Sequence, residues 1–215
     1  MTKQLILPRR DKEGNHYLSY SQISTWKRSK RDYIRQYFYG EGFKGNPYTD
    51  FGSKVGEALE NNDFSGFDEE DAEFLATVPR YDQFEREIKL KMDGFYVKGF
   101  IDTNTKDCIK LADYKTGDIL KKTPEYESDD YNQVEIYSAA IEQEEGVLPE
   151  CGQVFLIGRK GNSFKGEELR LTREFATIDK EVNPERIKQV LAEVQKVAEE
   201  ISSYYQTFLK LIGDE

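Results

Sequence analysis

Three charged residues near the middle of the chain, Asp102, Asp113 and Lys115, have types and spacing suited to chemistry on a phosphate group. Each aspartate follows a short apolar segment, 100–101 before Asp102 and 111–112 before Asp113, as expected at the end of a strand. Side chains alternate along a strand, so Asp113 and Lys115 should face the same side. If the two strands pair, two carboxylates and one ammonium group converge at one end of a sheet.

Two carboxylates that lie so close together repel each other unless a cation lies between them. Mg²⁺ is a natural choice because it prefers oxygen ligands and keeps several waters. Such a site polarises a phosphodiester and lowers the pKa of a bound water, and the lysine can orient that water or assist its deprotonation. The alternative is that all three are surface charges on half-exposed strands; the apolar residues before each aspartate weaken this alternative.

The hydrophobic pattern predicts the elements that must position these side chains. Strands are predicted at 85–92, 95–102 and 108–115, with an Asp93-Gly94 turn between the first two. Further segments are predicted from apolar periodicity and from cap and turn residues. They are one or two helices in 17–39, helices at 51–60, 131–145 and 184–211, and strands at 153–159 and 169–177.

The remaining segments are predicted to be irregular. Residues 1–16 form an exposed lead-in, 61–73 an acidic turn or short helix, and 116–130 a polar stretch. The order of elements predicts an α/β fold with a central mixed sheet flanked by helices, in one domain spanning 1–215.

Composition excludes several classes of protein. The chain has 215 residues, 31 basic and 41 acidic side chains, and a net charge of -10. With one histidine, a hydrolase based on a His triad or a multi-His zinc site has almost no material, and two cysteines cannot form a four-cysteine cluster. Neither a membrane span nor a secretory signal is expected, so we expect a cytoplasmic protein with reduced thiols.

The motifs themselves resemble a known family. VKGFID followed by IKLADYKTGD is similar to motifs II and III of the PD-(D/E)XK nuclease superfamily, especially its RecB-like branch, which reads G-x-I-D … D-Y-K-T-G. Gln133 and Tyr137 match the Q-x-x-x-Y motif that follows in that branch. LSYSQISTWKRSKRDYIRQYFYG resembles its opening segment. The likeness spans about 17–145 with the motifs in the right order.

The resemblance implies a restriction-endonuclease-like core and a set of site residues. Asp102 and Asp113 would bind Mg²⁺ or Mn²⁺, and the main-chain carbonyl of Tyr114 would join them. Lys115 would serve the nucleophilic water.

The same resemblance gives Gln133 and Tyr137 the task of lining the site and holding the DNA backbone. The alternative is that Tyr137 is a core residue and Gln133 a residue of the helix surface.

One position departs from the family pattern. The branch carries G-x-x-x-H on the helix before the strands, with the histidine as a metal ligand, but this chain has Gly52 and then Gly56. Glu57 is the predicted substitute ligand, with a solvent-facing carboxylate as the alternative, and Glu60 lies one turn further. On the first predicted strand, Glu87 could lie near the site, although an exposed carboxylate is the simpler reading. The single histidine, His16, is expected in a loop.

A basic segment interleaved with aromatic residues is the predicted DNA-binding surface, because cations contact phosphates and aromatic rings stack on unpaired bases. It comprises Trp26, Lys27, Arg28, Lys30, Arg31 and Arg35. The alternatives are a solvated charged face and, for the Trp26 ring, a place in the core. A second, weaker patch is predicted at Arg159, Lys160 and Lys165.

The sequence thus predicts a Mg²⁺- or Mn²⁺-dependent DNA nuclease without an iron–sulfur cluster or helicase motifs. An exonuclease acting in recombination, repair or phage DNA metabolism, in a bacterial or phage-infected host cytoplasm, is favoured by family analogy alone. Processivity would require a homo-oligomer or a recombination or replication protein partner. Two alternatives stay open: a catalytically inactive nuclease-fold DNA-binding protein, and an acidic interaction or DNA-mimic protein.

Overall fold

A computed structural model describes residues 4–42 and 45–213 of the chain. It contains six strands, seven α-helices, one π-helical turn and one 3₁₀ turn within those residues. The strands are β1 (Tyr17–Leu18), β2 (Gln83–Met92), β3 (Phe95–Asn104), β4 (Lys110–Gly117), β5 (Cys151–Lys160) and β6 (Arg170–Lys180). The helices are α1 (Tyr20–Arg28), α2 (Lys30–Tyr33), α3 (Pro47–Asn61), α4 (Glu69–Thr77), α5 (Ile119–Glu127), α6 (Gln133–Glu145) and α7 (Pro184–Ile212). The π-helical turn is Ile34–Phe38, and the 3₁₀ turn is Ser163–Lys165.

The chain forms two compact units, each built from separate stretches of sequence. The first unit comprises Met1–Lys44, Glu87–Gly99 and Pro184–Glu215. The second unit comprises Gly45–Arg86 and Phe100–Asn183. The sequence-based prediction of a single nuclease domain stays a prediction.

The first unit is organised by the long helix α7, which packs against α1. Apolar residues three and four apart form one face of α7, and Ile187, Val190, Val194 and Ile201 are buried on it. In the same unit β1 pairs with β3 in parallel, with Tyr17 opposite Tyr96. Residues 4–16 are not simply an exposed lead-in, because Leu7 is fully buried and His16 is only 5% exposed. Residues 1–3 of that predicted segment lie outside the described residues.

The sheet of the second unit contains both parallel and antiparallel pairs. β3 pairs antiparallel with β4, with Thr103 opposite Ala112. β4 pairs in parallel with β5 over eight residues, and β5 pairs antiparallel with β6. The predicted α/β fold with a mixed sheet flanked by helices is therefore confirmed. β2 also pairs with β3, and the two-residue Asp93–Gly94 connection forms the predicted hairpin.

Helices of the second unit cover the sheet and bury an apolar cluster. Its members are Val55 and Leu59 of α3, Leu75 of α4, Val78, Ile157 of β5 and Leu171 of β6. This cluster fixes α3 on the sheet, which matters because α3 supplies one wall of the candidate site. No helix in the two described ranges is both long enough and apolar enough to cross a membrane.

Two helices differ from their predicted bounds because local caps were decisive. α3 begins at Pro47 rather than at 51, since Asn46 caps it and accepts hydrogen bonds from the amides of Tyr48 and Thr49. α5 occupies part of the stretch predicted to be irregular, because Asp118 accepts a hydrogen bond from the Lys121 amide at its start. The helix forms despite the interior Pro124.

Candidate active site

The antiparallel pairing of β3 and β4 brings the predicted site residues together. Thr103 and Ala112 are cross-strand partners. Asp102 precedes Thr103 and Asp113 follows Ala112, so the two aspartates lie close to each other. The main-chain N–H of Tyr114 donates a hydrogen bond of 2.7 Å to Oδ2 of Asp102. Asp113 forms an ion pair with Lys115, so these two side chains share one face of β4, as strand alternation predicts.

Tyr114 points to the other face, also as predicted. Its hydroxyl donates to the carbonyl of Pro79 at 2.9 Å, and its ring lies 5.8 Å from that of Phe155. The side chain of Tyr114 therefore anchors β4 to the apolar core, while its main-chain N–H holds Asp102.

A buried hydrogen-bond chain fixes Asp113. Asp113 is 1% exposed, and the hydroxyl of Tyr131 lies 2.9 Å from its Oδ2. The same hydroxyl lies 3.1 Å from Oε1 of Gln133, whose Nε2 donates to the hydroxyl of Tyr137 at 3.0 Å. Burial raises the pKa of Tyr137, so its hydroxyl keeps its proton near neutral pH. Gln133 and Tyr137 thus reach the site through Tyr131.

Sequence reasoning missed Tyr131 and misplaced its two neighbours in the network. Gln133 is 8% and Tyr137 5% exposed, so their side chains lie inside the protein rather than on a wall open to DNA. Tyr137 is in the core, as the alternative proposed, but Gln133 is not a surface residue. A signal for Tyr131 existed, because it lies two residues before Gln133 and just ahead of α6, where an aromatic residue can turn inward.

A cavity of about 640 Å³ lies in the second unit beside Asp102 and Lys115. Three glutamates also line it: Glu57 and Glu60 from α3, and Glu85 from β2. Glu57 is exposed, whereas Glu60 is half-buried. Four carboxylates and one ammonium therefore face one cavity.

The charges around the cavity perturb one another. Burial raises the pKa of Asp102 to about 7, and the charges of Asp113 and Glu85 act in the same direction. Lys115 and the Tyr114 N–H oppose this rise. Burial likewise raises the pKa of Glu85, and the neighbouring Glu60 adds to the rise.

Neighbouring carboxylates favour the charged form of Lys115. Burial alone would lower the pKa of its ammonium group, but Asp113 and Asp102 outweigh burial and raise it. In the absence of a metal ion this group is therefore a cation. It can donate hydrogen bonds and stabilise negative charge that develops on a phosphate.

The donor set fits a hard divalent cation. Oδ1 of Asp113 is buried and has no hydrogen-bond partner among the described residues, although a buried carboxylate oxygen normally has one. Within residues 4–42 and 45–213, no three His, Cys, Asp or Glu side chains form a ready-made metal site. Mg²⁺ does not need one, because it is held by one or two carboxylates together with waters and substrate phosphates. Asp102 and Asp113 meet that requirement.

The helix position that lacks the family histidine faces the cavity. Gly56 lines it, and a Cβ built there would meet no atom within 4 Å. Glu57 lines the cavity as well, and its role as a substitute ligand stays a prediction. On β2 the cavity-lining carboxylate is Glu85, not Glu87, which forms an ion pair of 3.0 Å with Lys98. Glu85 has a φ of 47°, in the left-handed region, within this strand.

The predicted DNA-binding segment is only partly available to an external ligand. Trp26 is 1% exposed and donates from Nε1 to Glu200 at 2.9 Å, so its ring cannot stack on a base, and this prediction is wrong. Lys27 pairs with Glu193, Lys30 with Glu200, and Arg35 with Glu41. Arg28 and Arg31 are exposed and form no ion pair within the described part of the chain.

Comparisons with known proteins agree with the motifs. A sequence model of the PD-(D/E)XK nuclease superfamily matches residues 64–208. A crystal structure of a candidate exonuclease from Eubacterium rectale superposes with a TM-score of 0.57 and 14% identity, covering 89% of this chain and 82% of that one. A phage-related exonuclease from Haemophilus somnus 129PT gives 0.45 and 12%, covering 86% and 81%. The first likeness shows a shared fold, and the second is too weak to add to it. A search of curated protein sequences gives no match.

Proposed function

Because the chain belongs to the PD-(D/E)XK nuclease superfamily, we propose that it is a divalent-metal-dependent DNA nuclease. The observation that carries this proposal is the convergence of Asp102, Asp113 and Lys115 on paired strands, with Asp102 and Lys115 lining one cavity and Asp113 buried beside Lys115. The reaction is hydrolysis of a phosphodiester: a water oxygen bonds to phosphorus and the bond to the 3′-oxygen breaks, leaving a 5′-phosphate.

Asp102 and Asp113, joined by the main-chain carbonyl of Tyr114, would hold Mg²⁺ or Mn²⁺, which supplies Lewis acidity and makes water a stronger nucleophile. The protein's own residues do the rest. Lys115 would orient the attacking water and, as an ammonium group, stabilise charge on the phosphate oxygens. Tyr131 fixes Oδ2 of Asp113 and so leaves Oδ1 free for another partner.

Gln133 and Tyr137 act as positioning residues in this proposal. Their hydrogen bond holds the amide of Gln133 in the orientation that presents Oε1 to the Tyr131 hydroxyl. Partners of this kind orient the groups that contact a metal or substrate, and their loss typically lowers affinity or activity about 10- to 100-fold.

An exonuclease is favoured over a site-specific endonuclease. The fold likeness to a candidate exonuclease supports this preference, as does the family analogy of the motifs. A role in recombination, repair or phage DNA metabolism rests on the same analogy.

A catalytically inactive DNA-binding protein is the second candidate. The observation that favours it is Gly56, which stands where the family carries a metal-binding histidine and leaves open space there.

One digestion experiment separates the two candidates. End-labelled linear DNA and covalently closed circles, single- and double-stranded, are incubated with Mg²⁺, Mn²⁺ or EDTA, alongside Lys115→Ala protein. Degradation that requires metal, free ends and Lys115 supports the exonuclease, and the labelled end gives its polarity. Cleavage of circles indicates an endonuclease. DNA binding without cleavage supports the inactive protein. If the protein neither binds nor cleaves DNA, both candidates are wrong.

A further inference from the structure

An exposed aromatic ring stands on the loop between β5 and β6. Phe164, within the Ser163–Lys165 turn, is 80% exposed. The loop is nevertheless firmly built. Its first residue, Gly161, has a φ of 100°, and a Cβ there would lie 2.1 Å from the carbonyl oxygen of Glu168. Asn162 caps the turn by accepting a hydrogen bond of 3.1 Å from the Phe164 amide. The ring is therefore presented to solvent by an ordered loop.

Tyr48 of α3 supports this loop from below. Its hydroxyl lies 3.2 Å from Oδ1 of Asn162 and accepts a hydrogen bond of 3.2 Å from the Ser163 amide. Its ring lies 5.5 Å from that of Phe164. The guanidinium of Arg159 lies 4.4 Å from the centre of the Tyr48 ring. A cation and two aromatic rings thus form one continuous platform, with Phe164 at its open end.

The cations of the platform are not neutralised by the protein. Arg159, Lys160 and Lys165 form no ion pair in the part of the chain that the structure describes. Nearby basic residues do: Arg170 pairs with Glu168 at 2.6 Å, and Lys122 with Glu125 at 2.5 Å. In a chain of net charge -10, Arg159 on the Tyr48 ring and two further cations without an ion pair on the same strand and loop favour an anionic ligand from outside.

The platform lies near the candidate active site within the same unit. Tyr48 and Gly56 are both on α3, about 12 Å apart along its axis at 1.5 Å per residue, and Gly56 lines the site cavity. Lys115 of β4 is in register with Leu156 of β5, three residues before Arg159. A strand of a few nucleotides can therefore contact both places.

We propose that Phe164, Tyr48 and Arg159, with Lys160 and Lys165, bind an unpaired DNA strand next to the site, with the Phe164 ring stacked on a base. The proposal names the substrate class of the proposed nuclease and so rests on that function. Aromatic platforms among cations are how proteins bind single strands without reading sequence. A duplex presents no free base face along its length, so the exposed ring favours an unpaired strand or a frayed end.

Binding of a labelled single-stranded oligonucleotide, measured by fluorescence anisotropy in EDTA, tests the proposal without catalysis. We expect Phe164→Ala to weaken binding about 5- to 100-fold, the range found when a base-stacking aromatic is removed. Phe164→Trp should retain binding. Leu120→Ala is the matched control, since Leu120 is an apolar residue of the same unit with 88% exposure. Lys165→Gln should reduce the salt dependence of log affinity by about 0.7.

Three outcomes would overturn it: unchanged binding by Phe164→Ala, an equal loss in Leu120→Ala, or no preference for the single strand over a blunt duplex of the same length. Failure of the proposed nuclease function appears elsewhere, as absent digestion by wild-type protein with Mg²⁺. If the protein binds single strands in EDTA but never cuts them, the proposed binding platform is supported and only the proposed nuclease function is wrong.

Discussion

In the first unit, exposed cations meet carboxylates of that same unit: Lys27 pairs with Glu193 and Lys98 with Glu87. In the second unit, four carboxylates surround a cavity that contains one lysine. There the pKa values of Asp102 and Glu85 are raised, first by burial and then by neighbouring carboxylates. In these pairs of the first unit charge is balanced locally, although Arg28 and Arg31 of the same unit are exposed without an ion pair among the described residues. In the cavity of the second unit, carboxylates outnumber cations.

This contrast separates structural from functional charge without reference to any family. Exposed ion pairs contribute about 0–1 kcal/mol and can be lost with little consequence. Unbalanced buried carboxylates cost stability, and proteins keep such groups at functional sites. Substitutions of the same chemical type in the two units should therefore have different consequences.

Lys115→Ala should have the largest effect. Removing a cation that stabilises developing charge should lower the rate of DNA hydrolysis about 10²- to 10³-fold while the protein stays folded. Single-turnover digestion with Mg²⁺ and circular dichroism measure the two properties. Lys98→Ala is the matched change in the first unit and should leave the rate unchanged. Equal losses in both variants would show that the different charge environments of the two units do not determine which residues serve DNA hydrolysis.

Tyr131→Phe comes next. Tyr131 and Tyr96 each place a hydroxyl on an aspartate, at 2.9 Å from Asp113 and 3.1 Å from Asp11. Loss of the first hydroxyl should lower activity about 10- to 100-fold, because it frees a carboxylate that must be held in place. Tyr96→Phe should leave activity intact. A normal rate in Tyr131→Phe would remove the buried network from the proposed mechanism.

The fold was largely predictable because the strands and long helices carry strong periodic patterns. α7 shows a helical stripe over its whole length, and the Asp93–Gly94 turn fixes the β2–β3 hairpin. α5 was not predictable from periodicity, since its first turn is Ile-Leu-Lys-Lys and it contains Pro124. A single cap at Asp118 and tertiary packing decide it.

The site was predictable only where chemistry and strand alternation coincide. Asp102, Asp113 and Lys115 lie on two consecutive strands, which both continue beyond their predicted ends, so their meeting follows from one pairing. Tyr131 lies outside any regular element, and a long-range packing arrangement turns its hydroxyl to Asp113. Glu85 lines the cavity, whereas Glu87 pairs with Lys98, and the position of a glutamate on the strand does not by itself distinguish the two.

Asp102→Asn should stabilise the metal-free protein. The folded pKa of Asp102 is about 7, above its ordinary value of 3.8, so the folded state holds this proton more tightly than the unfolded state. The stabilisation that protonated Asp102 contributes is present below pH about 4 and is lost as pH rises towards 7. The variant should therefore melt about 3–6 °C higher than wild type at pH 8 in EDTA, with no difference at pH 4. It should also lose the rise in Tm that Mg²⁺ gives wild type.

Asp11→Asn is the control for this prediction. In the first unit, hydrogen bonds from Asn15, Tyr96 and Glu13 lower the pKa of Asp11 although burial opposes them. Its replacement should bring no gain in Tm at any pH. A lower Tm for Asp102→Asn at pH 8 would mean that the repulsion around the cavity is already relieved without metal.

His16→Gln should have the smallest effect, and it acts on the acid side. His16 is 5% exposed, and its Nδ1 lies 3.0 Å from the Leu7 amide nitrogen and 2.9 Å from the Leu7 carbonyl oxygen. An unprotonated Nδ1 accepts from the amide, and a protonated one donates to the carbonyl. Burial and the charge of Arg10 lower its pKa below 6.5. Its stabilisation is therefore present above pH about 6.5 and lost as pH falls through the folded pKa. Wild type should lose about 1 kcal/mol relative to the variant between pH 7 and 5, or about 2–4 °C in Tm.

Because the chain has one histidine, this difference belongs to one group of the first unit. The effect of His16 on Tm decreases as pH falls, whereas Asp102 destabilises the metal-free protein as pH rises. Thermal melts in EDTA from pH 4 to 8 therefore distinguish the two effects. A flat difference curve for His16→Gln would mean that the ring stays neutral throughout and that only the second unit responds to pH.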